Sequence, residues 1–270
     1  MLTSNERILN SKSRFVRISS EDKSIGTNNR FSIDLASNGG IIDNVKGFIV
    51  HSAQVPNIFD NINSRNNVVR IFQFGSPVVD IVVPPCYYTL SDLVDYLNTT
   101  IAGIIPPTNF VLTFAITGNF PCQKVSATQT GTTPGVFLEF GENNIWETLG
   151  FETAAPGITI DDGDTVIATN PPNLIGETEC YIHSRVLCPN NLSEASGTFS
   201  VVDKIDLNEP YGSMCYTNYN NDTTHQKNYF PFETRKTLRT IDINLRNRTG
   251  DLLVLPNNFT FTMMLKIFYV

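Results

Sequence analysis

A chain of 270 residues, 41% hydrophobic and 17% charged, can bury roughly three quarters of its unfolded surface and needs neither disulfide nor metal to hold a core. A formal net charge of −7 argues against general nucleic-acid binding, which depends on clustered Lys and Arg. No stretch approaches the ~18 apolar residues of a membrane span, and Met1-Leu2-Thr3-Ser4-Asn5-Glu6-Arg7 has no apolar signal core, so a soluble protein made in the cytosol is expected.

Residues 1–30 show strand periodicity only around Phe15-Val16-Arg17-Ile18, which predicts an extended arm. The arm is basic, with Arg7, Lys12, Arg14, Arg17, Lys23 and Arg30 against Glu6, Glu21 and Asp22. From Phe31 the pattern turns to strands. Phe31 to Leu35 alternates, and Val45 to Val55 is apolar on both faces, the mark of a central strand. Val68 to Phe74 and Val78 to Val83 flank Gly75-Ser76-Pro77 as a hairpin, and Pro84-Pro85 stops the ladder because proline cannot donate to it.

One helix is predicted, starting at the N-cap Thr89 with Asp92 at the capping-box position. Leu90, Leu93, Val94, Leu97 and Ile101 follow at helical spacing, and Gly103 and Pro106-Pro107 end it. Phe110 to Thr117, Lys124 to Thr128 and Val136 to Phe140 read as strands, and Ile145 to Phe151 as a helical turn capped by Gly150. Residues 141–176 are acidic and loop-rich, with one short strand at Thr165 to Ala168. Cys180 to Leu187, Phe199 to Ile205, Thr240 to Arg246 and Phe259 to Val270 complete the strands, and Glu209 to Phe232 reads as a long loop. In the last strand Phe259, Phe261, Met263, Leu265, Ile267 and Tyr269 share one face. The apolar Met264, Phe268 and Val270 on the other face predict that this end is covered, either by the protein's own arm or by an adjacent subunit.

Eight to ten strands with long connections predict an all-β fold: a single jelly-roll β-sandwich of two antiparallel sheets, with one short helix and long loops, over 31–270 behind the arm.

Chemistry-bearing residues are sparse. His51, His183 and His225 have no metal-ligand spacing and read as isolated structural or surface histidines. Asp161-Asp162-Gly163-Asp164 offers oxygens of the kind calcium takes but lacks the full EF-hand loop and its closing Glu, so an acidic turn is expected. Cys86, Cys122, Cys180, Cys188 and Cys215 are odd in number and unpaired in spacing, and read as reduced thiols. No nucleophile motif or phosphate loop is present, so no catalytic, cofactor-binding or metal residue is assigned and no enzyme is expected. Between Lys124 and Arg185 there is no Lys or Arg, while nine carboxylates accumulate from Glu139 to Glu179. The unlike charge of the arm and the middle reads either as two differently solvated surfaces or as two faces meeting different neighbours.

Several short strings fall in an informative order: Ser19-Ser20-Glu21-Asp22-Lys23, Val55-Pro56-Asn57-Ile58-Phe59-Asp60-Asn61-Ile62, Val83-Pro84-Pro85-Cys86-Tyr87-Tyr88-Thr89, Leu149-Gly150-Phe151, Pro210-Tyr211-Gly212 and Ile241 to Gly250. Together they resemble the penton, or minor capsid, proteins of virophages and polinton-like viruses, over nearly the whole chain. Cys86 stands where the family would have a glycine. The resemblance implies a virion protein forming homopentamers at the five-fold vertices of an icosahedral capsid, in contact with a double-jelly-roll major capsid protein. It carries over no catalytic residue and no cofactor. Two other classes compete: a receptor- or glycan-binding attachment module using the loops Ala154 to Pro172 and Glu209 to Phe232, and a metal-dependent cupin enzyme.

Overall fold

The structure, a computed structural model, describes residues 11–38, 40–73, 78–104, 110–119, 121–131, 135–152, 156–188, 201–219 and 229–270. The expected turn Gly75-Ser76-Pro77, the helix stop Pro106-Pro107, His225 and Arg7 lie outside the described residues. Along the chain come β1 (Lys12–Ser19), β2 (Ile25–Thr27), β3 (Arg30–Asp34), a four-residue helix α1 (Leu35–Asn38) and β4 (Ile42–Pro56). Next are β5 (Val68–Gln73), β6 (Val79–Val82), helix α2 (Leu90–Ile104), β7 (Phe110–Thr117), β8 (Lys124–Gly131), β9 (Val136–Glu139), β10 (Gly157–Ile160) and β11 (Thr165–Ile167). Last come β12 (Glu179–His183), β13 (Val201–Asp206), β14 (Met214–Asn218), β15 (Tyr229–Leu238), β16 (Thr240–Arg246) and β17 (Thr262–Tyr269). They gather into two compact units, one made of the chain up to Phe59 together with Glu177 onward, the other of Asp60–Gly176.

The first unit is a sandwich of two antiparallel sheets, β1-β17-β4-β14 with β15 also on β4, and β13-β12-β16-β3-β2. Strands β14 and β15 lie end to end along β4, the first opposite Ser52–Pro56 and the second opposite Ile42 to Ile49, so they count as one position. Setting aside the short edge strand β2, the described residues of this unit then make eight strands. The first pairs with the last (β1 with β17), the second with the seventh (β3 with β16), the third with the sixth (β4 with β14 and β15), and the fourth with the fifth (β12 with β13). That nested pairing is a ribbon folded back on itself and wrapped, the jelly roll expected from the sequence.

Burial follows the period-2 pattern. Ile241, Ile243 and Leu245 of β16 and Phe261, Met263, Leu265 and Ile267 at β17 are fully buried, and Phe31 of β3 meets Phe261 across the sandwich with ring centroids 6.2 Å apart. Each such side chain contributes about 1.5–3 kcal/mol, and a one-residue slip would turn the whole set to solvent, so the burial also fixes the register.

The expected arm is not free of the fold from Lys12 onward. Its residues 12–19 form the first strand, hydrogen-bonded along β17, because Val16 and Ile18 face the core while Phe15 and Arg17 point out. Within the chain itself, the end of β17 is covered only in part. Phe268 lies edge-on against Tyr229 of β15 with centroids 5.7 Å apart, Met264 is half-buried, and Val270 stays 51% exposed.

The second unit has its own core, in sheets β10-β9-β5-β6 and β11-β8-β7 with α2. Where a single domain over 31–270 is expected, this stretch folds around Trp146. That side chain is fully buried, donates from Nε1 to the Glu139 carbonyl at 2.9 Å and packs against Phe114, Phe140 and Phe151. The turn Ile145 to Phe151 is as expected: Gly150 has φ 90°, and a Cβ there would run into the Asn170 carbonyl.

Helix α2 begins as the spacing predicts. Asp92 N–H donates to Thr89 Oγ1 at 3.2 Å, Thr89 Oγ1 donates to Asp92 Oδ2 at 2.6 Å, and Leu93, Val94, Leu97 and Ile101 are buried. Thr89→Ala is expected to cost about 1 kcal/mol, seen as a lower urea midpoint with unchanged slope; an unchanged midpoint would mean that the cap is idle.

Candidate functional site

The residues singled out for chemistry do not converge. His51 lies on β4, edge-on to Phe15 with centroids 5.2 Å apart, and His183 is buried on β12. Asp161, Asp162 and Asp164 form an exposed turn between β10 and β11. There Asp162 Oδ1 accepts from Gly131 N–H at 2.8 Å, and the backbone closes Asp164 N–H on Asp161 O and Gly163 N–H on Gln129 O, each at 3.0 Å. Among the described residues no group of three or more His, Cys, Asp and Glu is placed to hold a metal.

Cys86 and Cys122 are exposed, while Cys180, Cys188 and Cys215 are buried free thiols. Burial pushes the Cys188 thiol up to about 11 and Cys180 higher still, away from the thiolate a nucleophile needs. The two expected binding loops carry more strand than expected: Gly157–Ile160 besides the expected strand at Thr165–Ile167 in one, Met214–Asn218 and the start of β15 in the other. The short patterns of Gly157–Ile160 and Met214–Asn218 hid those two. Among the described residues no helix is long and apolar enough to cross a membrane.

The feature that does assemble is a groove of about 690 Å³ on the face of the β2-β3-β16-β12 sheet turned away from the sandwich core. Strict alternation puts Asp242, Asn244 and Arg246 of β16 on this face, opposite Ile241, Ile243 and Leu245. Register then lines up Arg30, Asn244 and His183 in one row across β3, β16 and β12. Arg185 follows β12, and Ile25, 76% exposed, and Leu252 supply apolar wall. The Asp242 carboxylate is committed to Ser184 Oγ and to the N–H groups of Arg185 and Val186, all at 3.0–3.1 Å.

Arg246 is held below its usual value, first by desolvation and then by the charges of Arg30 and Arg185. His183 is pushed down to about 4 by burial, with Arg246 adding to the effect. Three guanidinium groups therefore share one concavity, and the site favours an anion. Sequence reading missed it. Arg30 falls in the expected arm, and nothing local links it to Arg246; only the register brings them together.

The strings that carry the family resemblance also meet each other. Asn57 N–H donates to Ser213 O, Gly212 N–H donates back to Asn57 O, both at 2.7 Å, and Asn57 Nδ2 donates to Glu209 O at 2.6 Å. Asn61 Nδ2 donates to Tyr88 O at 2.8 Å and to Leu174 O at 3.0 Å, while Asn61 Oδ1 accepts from Tyr88 N–H at 2.8 Å. Ile62 and Cys86 form a two-bond bridge, and Ser20 exchanges hydrogen bonds with Phe261. Cys86 is not among the described residues with positive φ, so the turn before α2 does not require the family's glycine.

These features define an all-β chain built on a jelly roll, with a cationic groove on one sheet. No family model matches the chain. No curated protein matches it. Among solved structures it is similar to the mavirus penton protein, at 14% identity over 96% of this chain and 100% of that one, with a TM-score of 0.44.

Proposed function

We propose that the chain is a structural virion protein, the penton or minor capsid protein, of which five copies close a ring at the five-fold vertex of an icosahedral capsid and contact a double-jelly-roll major capsid protein. A jelly roll by itself hosts many functions, so the fold alone does not carry this reading. The observation that carries it is the meeting of the family's strings: Asn57 with Gly212 and Ser213, and Asn61 with Tyr88. The resemblance is then to a framework that holds the fold's turns, as a structural subunit requires, and not to scattered short matches.

Surface chemistry agrees with an assembly role. Ile25, Tyr216, Val254 and Ile175 are 69–76% exposed, large side chains of the kind that subunit contacts cover. The test is native mass spectrometry of the purified chain and of vertices released from particles. The expected species holds five copies of 30.0 kDa; a chain that stays monomeric at every concentration and is absent from particles would overturn the proposal.

A further inference from the structure

We propose that the arginine groove is the seat for the Asp161-Asp162-Gly163-Asp164 turn of a second copy of this chain. The inference rests on the ring reading above and names the contact that would close it.

Charge segregates between the two units. Residues 60–176 hold three basic against eleven acidic side chains, net −8, and the rest of the chain holds sixteen basic against fifteen acidic, net +1. Within the second unit the acidic turn projects. All four of its residues are exposed, Gly163 has φ 80°, and a Cβ on Gly163 would meet nothing within 4 Å. The turn is held by its own backbone bonds and by Gly131, so it would dock without ordering first. No Lys or Arg occurs from 125 to 184, and among the described residues no ion pair reaches Asp161, Asp162 or Asp164.

The groove is the complement. Arg17, Arg70 and Lys204 elsewhere have carboxylate partners within 4.0 Å, whereas Arg30 and Arg185 have none among the described residues. Asp242, the acid inside the groove, has its oxygens engaged by Ser184, Arg185 and Val186. Two or three carboxylates on a rigid turn would relieve the mutual repulsion of Arg30, Arg185 and Arg246, and Arg pairs carboxylates two bonds at a time. The groove and the turn are different surfaces. The contact is therefore head-to-tail, the type that closes into a ring or runs open.

The experiment uses the full chain in analytical ultracentrifugation at physiological and 1 M salt. Arg30→Glu with Arg185→Glu alters the groove and spares Arg246, whose guanidinium donates to the Gly250 carbonyl. Asp161→Lys with Asp164→Lys alters the turn and spares Asp162, which holds Gly131. Each pair is expected to raise the concentration needed for assembly more than about 30-fold. The chain carrying all four changes is expected to form closed rings again, which also shows that the substitutions leave the fold intact. Mixing the two altered chains gives only alternating species, and alternation cannot close a ring of five.

Wild-type rings with unchanged assembly of the groove variant would overturn this contact and leave the ring reading standing. Loss of assembly in the groove variant but not in the turn variant would overturn the proposed occupant. A wild type that remains monomeric would overturn both.

Discussion

Replacing Trp146 by alanine is expected to destabilise the 60–176 unit by about 3–5 kcal/mol. The indole is fully buried among Phe114, Phe140 and Phe151, and its removal leaves a cavity that the short strands around it cannot collapse to fill. It also strips the Glu139 carbonyl of its 2.9 Å donor, which adds the cost of an unsatisfied acceptor at the end of β9. Hydrogen exchange followed by mass spectrometry gives the readout. Amides of β5, β8 and β9 should lose protection by about two to four orders of magnitude, and protection unchanged within a factor of ten would refute the assignment of Trp146 as the keystone of that core. Because Trp146 is the only tryptophan of the chain, the wild-type fluorescence transition reports this unit alone.

The second large effect is one of pH. His183 is 6% exposed and its value is pushed down to about 4, by burial first and by Arg246 second, against an ordinary value of 6.5. Between those two values the unfolded chain takes up the proton and the folded chain does not. The stabilisation is therefore complete above about pH 6.5 and is lost as pH falls towards 4, amounting to about 2 kcal/mol by pH 5. Urea titrations of the wild type and of His183→Gln at pH 7.5 and pH 5 separate this from other groups. The stability gap between the two proteins should change by about that amount in favour of the glutamine variant at the lower pH, and a constant gap would remove His183 from the account.

Strong periodicity made much of the fold legible. Thr240–Arg246, Phe110–Thr117 and the capped start of α2 lie where alternation and spacing place them, and Val45 to Val55 lies inside β4, which has neighbours on both edges. The illegible parts are short edge or polar strands. β2 is Ile-Gly-Thr, β14 reads Met-Cys-Tyr-Thr-Asn, and β10 opens on a glycine; each is held by ladder hydrogen bonds to a stronger neighbour and not by its own pattern. β15, with the charged run Glu233-Thr234-Arg235-Lys236, read as loop at its start because only Phe232 and Leu238 are buried. The separate core of residues 60–176 was hidden for a related reason: local alternation says that a residue is buried but not in which of two cores. The groove was the least legible of all, since Arg30 and Arg246 become neighbours only through the pairing of β3 with β16.

The nested pairing of the jelly roll has a consequence for how the chain is made. Its outermost pair joins Lys12 to Tyr269, and β4 and one edge of β3 also wait for partners that lie beyond Glu177. The unit from Asp60 to Gly176 is continuous and can complete its contacts as soon as it has left the ribosome. At ~5–20 residues per second β1 and β4 then stay without partners for roughly 5–20 s more. During that interval β4 exposes a long apolar edge on the nascent chain, the kind of surface that chaperones hold and that aggregates when they do not. The yield of soluble protein should thus depend on synthesis rate and chaperone supply more than on the stability of the finished fold.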